Sequence, residues 1–328
     1  MSSYNVNSDH GEIDDSMKTF TDINCLLNEQ HGYSHPKLLG EGSYGVVIRY
    51  RRPQNEGDVA VKCVFLHNVR EGEGQLWFGL KHENIVPLLQ WTIFESLNVV
   101  CFEMEVYEQD LFSAVRKAEY LQSADALQQL KMWLYQALSG INFLHERQLY
   151  HLDIKSDNVF ISRKAKRALI ADFTFLRRTS SHIRRYHIGL PHVYHPPETS
   201  RTRRNEKQID GLCFDLWSYG VMTMELLTNF HIARSFPSDH RSADARYACM
   251  RNVLQEEAFT EKVQTALPAV EIIHGDILMA LDFMHSFLRR HPTARTTAEV
   301  GLEHSFLGKG DIVNGEVDAL WKFPSKYL

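Results

Sequence analysis

The sequence predicts an α+β protein in two parts, a small β-rich first part and a larger, mainly helical second part. Three observations carry this. Between Leu38 and Phe65, short apolar and β-branched runs flank a glycine-rich turn, the pattern of strands joined by tight connections. From Leu127 onward, apolar residues recur every three or four positions (Leu127, Leu130, Leu134, Leu138, Ile141, Leu144), the period of an amphipathic helix. The chain has 328 residues, enough to bury a large core and to form about two domains or one bilobed one.

Composition narrows the class. Hydrophobic residues make up 44% and charged residues 23%, as in an ordinary globular protein. A net charge of -5 argues against a nucleic-acid binder that works through general basicity. The cysteines (Cys25, Cys63, Cys101, Cys213, Cys249) are odd in number and dispersed, which reads as free thiols in a reducing compartment. The polar, acidic stretch from Met1 to Asp15 lacks the apolar core of a signal peptide, and no run approaches a membrane span. A soluble protein of the cytoplasm or nucleus is expected.

In chain order, residues 1 to 32 read as a flexible tail with at most a short helix around Phe20 to Leu27. Leu38 to Ile48 places Gly40, Gly42 and Gly45 between apolar residues, a strand, a tight turn and a second strand. Glycines let a backbone approach a phosphate closely and aim N–H groups at it. A dinucleotide fold would continue into a helix, whereas here the strand Asp58 to Phe65 follows. Lys62 lies inside that apolar strand, either turned to water at an edge or holding phosphate with a carboxylate, Glu71 or Glu73. A strand from Leu97 to Met104 leads into the connector Glu105 to Leu111 and then into the helical part. Short strands at Val159–Ser162 and Ala168–Ala171 end at Asp172-Phe173-Thr174, and an apolar helix spans Phe214 to Leu227. The periodic leucines are core.

The stretch His151-Leu152-Asp153-Ile154-Lys155-Ser156-Asp157-Asn158 carries the chemistry. A carboxylate can take a hydroxyl proton, an ammonium can neutralise a phosphoryl group, and an amide oxygen can hold a hard metal ion. A polar surface turn would use the same residues. The rest of the chain decides between the two.

Together these motifs resemble the eukaryotic protein kinase superfamily, over roughly Tyr33 to Leu307. The resemblance implies a bilobed kinase fold, with an N-lobe over 33–104, a hinge over 105–107, a C-lobe over 108–307 and an extension over 308–328. It also implies roles. Leu39, Gly40, Glu41, Gly42, Ser43, Tyr44, Gly45 and Val46 match the glycine-rich loop, and Val47 and Ala60 the adenine slot. Lys62 matches the lysine on the α- and β-phosphates, with Glu73 the better candidate for its ion-pair partner. Met104 matches the residue at the back of the nucleotide pocket, followed by the hinge Glu105 to Tyr107. Asp153 matches the catalytic base and Lys155 the lysine beside the transferred phosphate. Asn158 and Asp172 match the metal ligands. Glu198, Arg295 and Asp215 match residues that brace the architecture. The implied cofactors are ATP and Mg²⁺, with Mn²⁺ as the alternative ion. Protein substrates are implied, with no nucleic acid or membrane partner, and a monomer is expected.

Four positions depart from the family pattern. Leu152 replaces the arginine that normally pairs with a phosphorylated activation segment. Thr174 replaces the glycine of Asp-Phe-Gly and narrows backbone freedom. Gly72 and Gly74 weaken the helix around Glu73 by about 1 kcal/mol each relative to alanine, so a partner could order it. Lys155 follows the serine/threonine pattern while Pro191 follows the tyrosine one. Lys155 acts on the phosphate directly, so serine/threonine transfer is favoured, with dual specificity or a non-catalytic binding module as alternatives. His-Leu-Asp-Ile and Asp-Phe-Thr also resemble divergent kinases of large DNA viruses such as herpesviruses. The arginines and histidines between Arg177 and His187 form either an attractor for acidic substrates or a solvated loop.

Overall fold

The computed structural model describes residues 21–42, 45–69, 73–163, 166–178, 183, 188–200, 209–235 and 243–308. They form two compact units. One runs to Lys81 and resumes over Pro87–Val106; the other takes His82–Val86 and the chain from Tyr107 onward.

The first unit is built on a five-stranded antiparallel sheet of order β1-β2-β3-β5-β4. Its strands are β1 (Ser34–Gly42), β2 (Gly45–Arg51), β3 (Asp58–Phe65), β4 (Gln90–Phe94) and β5 (Val99–Glu105). The central strand β3 pairs with β2 on one side and β5 on the other. Both of its faces are buried over residues 59–64, which is why it reads as one apolar run rather than an alternation. On one face Val59, Val61 and Cys63 join a core that includes Ile23 and Leu27. The opposite face carries Lys62, Phe102 and Trp91 in register and is covered by the helix α2 (Glu73–Phe78).

Ile23 and Leu27 lie in the stretch read as a tail with at most a short helix around Phe20 to Leu27; residues 1–20 lie outside the described residues. Residues 21–31 form a helix, α1, and Ile23 and Leu27 are buried in the sheet's core. Fully burying one such side chain is worth about 1.5–3 kcal/mol. Tyr50 donates to Asn24 at 2.5 Å, and Asn28 Nδ2 donates to the Tyr33 carbonyl at 2.7 Å. The polar residues between these anchors are exposed or half-buried, and the helix runs four residues beyond the Leu27 expected from the sequence. Strand β5 begins at Val99, not Leu97, because residues Glu95–Leu97 form a 3-10 turn closed by Asn98 in the left-handed region (φ 55°). It runs on to Glu105, which pairs with Val59, so the first residue of the expected hinge belongs to the sheet.

Gly74, read as a weak point, has a packing role. A Cβ there would lie 3.2 Å from Trp91 and 3.4 Å from Phe102, so the helix sits directly on those rings. Trp77 packs on Phe102 (5.7 Å between centroids) and Phe78 on Trp91 (5.5 Å). Aromatic packing holds this short helix where propensity would not.

The second unit is helical, with two small sheets. In order it contains β6 (Gln109–Asp110), α3 (Leu111–Ala114), α4 (Ala118–Leu121), α5 (Ala126–Glu146), β7 (Leu149–Tyr150), β8 (Val159–Ser162), β9 (Arg167–Ile170) and β10 (Arg177–Arg178). After these come α6 (Gly211–Thr228), α7 (Ile232–Ser235), α8 (Ala243–Val253), α9 (Glu256–Ala266), α10 (His274–Phe287) and α11 (Ala298–Leu302). The sheets are β6-β8-β9 and β10-β7. Helix α5 presses on β9 and on the Asn84 segment. At Gly140 a Cβ would come within 2.6 Å of the Asn84 carbonyl, so the glycine is needed for close approach. Helix α6 is apolar on nearly every side and almost wholly buried, as a central helix must be. Asp210 caps its start by accepting from Leu212 N and Cys213 N. Tyr219 on α6 meets Phe283 and Phe287 on α10 edge-on.

Candidate active site

The loop from His151 to Asn158 hangs between β7 and β8, and a buried carboxylate fixes its start. Asp215 on α6 is 0% exposed. It accepts from His151 N and Leu152 N, each at 2.8 Å, and contacts His145 Nε2 at 3.2 Å. A carboxylate so buried is tolerable only with such donors. His151 is itself fully buried. Its Nδ1 accepts from Asp153 N (3.3 Å), so its Nε2 carries the ring proton toward the Ala171 carbonyl (3.0 Å). Leu152 takes a left-handed φ of 64°, costing about 1–2 kcal/mol for a non-glycine residue. Its side chain offsets that cost within an apolar cluster of Tyr150, Phe175, Ile183, Ile188, Leu190, Ile209 and Phe214.

Beyond this anchor three side chains converge. Lys155 Nζ donates to both oxygens of Asp153, at 3.2 and 3.0 Å. Asn158 Nδ2 donates to Asp153 Oδ2 at 2.7 Å and to the Asp153 carbonyl at 2.9 Å. The carboxylate is thus held in one orientation by a cation and an amide. Burial pushes the Asp153 pKa up; Lys155 opposes the shift and the nearby Asp172 adds to it. Gly189 makes room, since a Cβ there would fall 2.7 Å from Asp153 Cγ.

Asp172 follows β9 in a left-handed conformation (φ 62°), next to Ala171, whose N–H donates to the Asn158 carbonyl at 2.9 Å. Thr174 Oγ1 donates to Asp172 Oδ1 at 2.8 Å. Asn158 spends its Nδ2 on Asp153, which leaves its Oδ1 as the remaining acceptor of the amide. A carboxylate and an amide oxygen are the hard donors that magnesium or manganese takes, so these residues fit such an ion.

The first unit positions the remaining candidates. Gly42 pairs with Gly45 across the β1–β2 hairpin; Ser43, Tyr44 and Glu71 lie outside the described residues. At Gly45 (φ 151°) a Cβ would overlap the Cys63 carbonyl, whereas at Gly40 and Gly42 it would meet nothing within 4 Å. Of these three glycines, packing among the described residues demands glycine at Gly45 alone. Leu39 and Glu41 are exposed, Val46 and Val47 half-buried. Ala60 pairs with Met104, and both are buried. Lys62 and Glu73, 9% and 5% exposed, lie on the same side of the sheet. Glu105 is exposed; Tyr107, in the second unit, packs on Phe160 at 5.6 Å.

The bracing residues also come together. Arg295 grips Glu198 with two parallel bonds of 2.7 Å and donates to the Cys213 carbonyl at 3.0 Å. Sequence reasoning missed the Thr174–Asp172 bond and the apolar cluster around Leu152. It also missed Glu225 on α6, where burial raises the pKa to about 7 against the opposing bonds from Ile232 N and the Tyr194 hydroxyl. The Thr174–Asp172 bond is local and could have been read from the Asp-x-Thr spacing; the Leu152 cluster and the Glu225 site depend on residues that meet only in space.

Residues 33–307 match the family described as the protein kinase domain. The chain belongs to the eukaryotic-type protein kinase superfamily. Among curated proteins it is 26% identical over 298 residues to the meiosis-specific serine/threonine-protein kinase MEK1 of Saccharomyces cerevisiae, covering 83% of this chain and 56% of that one. It is 27% identical over 288 residues to the human serine/threonine-protein kinase ULK1, covering 82% and 26%. A 209-residue match at 30% identity joins it to a probable cyclin-dependent serine/threonine-protein kinase of Dictyostelium discoideum, covering 60% and 14%. The kinase thus spans about half, or less, of the length of these relatives. Its five cysteines are free thiols. Among the described residues no helix is long and apolar enough to cross a membrane.

Proposed function

We propose that this kinase transfers the γ-phosphate of Mg-ATP to serine and threonine hydroxyls of protein substrates. The observation that supports it most is the convergence of Lys155 and Asn158 on Asp153. A carboxylate whose orientation is fixed by two donors keeps lone pairs for a substrate hydroxyl and can accept its proton as the phosphoryl group departs. Lys155, bonded to that carboxylate, is assigned to neutralising the transferring group next to the attacking oxygen. Lys62, buried in β3, is assigned to the α- and β-phosphates, with Glu73 as its partner. At Gly40 and Gly42 a Cβ would meet nothing within 4 Å, which leaves open space above the hairpin; the phosphates are assigned there from the glycine-rich pattern. Asp172 and Asn158 are assigned to magnesium, which when bound neutralises phosphate charge. Ala60 and Met104 are assigned to the adenine, with Glu105 and Tyr107 beside it.

Serine/threonine preference rests on Lys155 and on the serine/threonine kinases among its relatives. Three peptides of identical sequence except for Ser, Thr or Tyr at the acceptor position test it, with γ-labelled ATP. Label on the serine and threonine peptides alone is expected; equal label on the tyrosine peptide overturns the preference.

A further inference from the structure

A second concave site lies wholly within the helical unit, formed by α8 and α10. Tyr247, Met250, Arg251 and Leu254 line it from one side and His285, Leu288 and Arg289 from the other, around a cavity of about 280 Å³. Its floor is apolar: Met250, Leu254 and Leu288 are 2–4% exposed. Its rim is basic. Arg251 and Arg289 are exposed, and among the described residues neither guanidinium is in an ion pair. Arg290 adds a third cation, its guanidinium 5.8 Å from the Tyr247 ring. Asp282, the acid that bears on His285, is engaged by His304 at 3.2 Å.

Size and charge choose the occupant. Small-molecule and cofactor pockets run from about 300 to 1,000 Å³, so this cavity lies at the small end of that range and has room for one bulky side chain. A greasy floor beside the exposed guanidinium groups of Arg251 and Arg289 favours an apolar residue flanked by carboxylates, because the rim is then neutralised while the floor is filled. We propose that this cavity holds one leucine-sized side chain of an acidic peptide segment and is a docking point for protein partners, remote in sequence from the transfer residues. Binding does not depend on the proposed transfer reaction. Its kinetic consequence does: a substrate carrying such a segment gains affinity without a change in the chemical step.

Fluorescence anisotropy without nucleotide separates the two claims. The probe is a fluorescein-labelled peptide Gly-Glu-Glu-Asp-Leu-Glu-Asp-Gly. One control replaces its leucine with serine, and another replaces its acids with their amides. The full chain is expected to bind the probe at least tenfold more tightly than either control. Arg251→Glu/Arg289→Glu and Arg251→Ala/Arg289→Ala are each expected to lose at least tenfold, with unchanged melting and unchanged transfer to a peptide lacking the segment. Equal affinity for all three peptides overturns the proposal, as does full affinity in the double variants. So does a wild-type dimer in sedimentation that charge reversal dissolves, since the face would then join copies of the chain.

Discussion

Thr174 donates its hydroxyl to Asp172 Oδ1 at 2.8 Å, from the position where the family pattern has a glycine. The side chain is buried, so the bond forms away from competing water and restrains the carboxylate assigned to magnesium. The threonine looks like a loss of backbone freedom in the sequence; in the structure it also supplies a positioning bond.

Thr174→Val keeps the shape and removes the donor. A hydrogen bond to a charged group contributes about 1.5–3 kcal/mol, part of which the ion would recover. The half-saturating magnesium concentration for transfer is expected to rise about three- to tenfold, with little change in the rate at saturating magnesium. A magnesium titration checks this; an unchanged midpoint assigns the hydroxyl to local packing alone.

Leu152 anchors the segment after Asp172 through apolar contacts with Phe175, Ile183, Ile188 and Leu190. No phosphate-reading arginine stands there. Transfer is therefore expected to survive phosphatase treatment, within about twofold, in an assay of treated and untreated protein. Leu152→Ala opens a cavity and is expected to cost about 2–5 kcal/mol in denaturant unfolding, since the residue is 0% exposed.

Arg295 and Glu198 form a bidentate pair whose arginine side chain is 0% exposed. Arg295→Met leaves a carboxylate opposite no cation, and Glu198→Gln leaves a guanidinium half-satisfied. Breaking a buried pair costs about 3–5 kcal/mol, discounted somewhat here because Glu198 is 26% exposed. Arg295→Met is expected to unfold at markedly lower denaturant, and more so than Glu198→Gln.

Glu225 gives a pH dependence with a definite sign. Burial raises its pKa from 4.5 to about 7. At acid pH the carboxyl is protonated in both the folded and unfolded states and costs nothing. As pH climbs from 4.5 to 7 the unfolded chain ionises while the folded one holds its proton, so folded stability falls by up to about 3 kcal/mol. Glu225→Gln lacks this loss. Thermal melts are expected to show the variant gaining on wild type between pH 5 and pH 8; a constant difference across that range contradicts the shift.

The kinase pattern was legible because its motifs are local. The glycine hairpin, the lysine strand, the Asp153–Asn158 loop and Asp172 each fit within a few residues, and their order conveys the fold. What the chain concealed is non-local. The short helix expected around Phe20 to Leu27 extends to residue 31 as α1, and what the sequence did not convey is that Ile23 and Leu27 pack into the sheet's core. Gly74 looks like a defect until Trp91 and Phe102 appear beneath it. Leu152 looks like a deletion of function until its apolar neighbours assemble from residues 150 to 214.

Transfer itself is tested by three proteins side by side: wild type, Lys62→Met and Asp153→Asn, each incubated with γ-labelled Mg-ATP and a basic protein substrate. Lys62 is buried on β3, the central strand of the sheet that carries the glycine hairpin, and Asp153 lies at the convergence of Lys155 and Asn158. The account predicts label transfer by wild type and a loss of at least about a hundredfold in both variants, from the general-base share in Asp153→Asn and from lost phosphate charge stabilisation in Lys62→Met. Asp153→Asn should still bind nucleotide. Equal incorporation by all three proteins contradicts the account and leaves a kinase-shaped module that catalyses nothing.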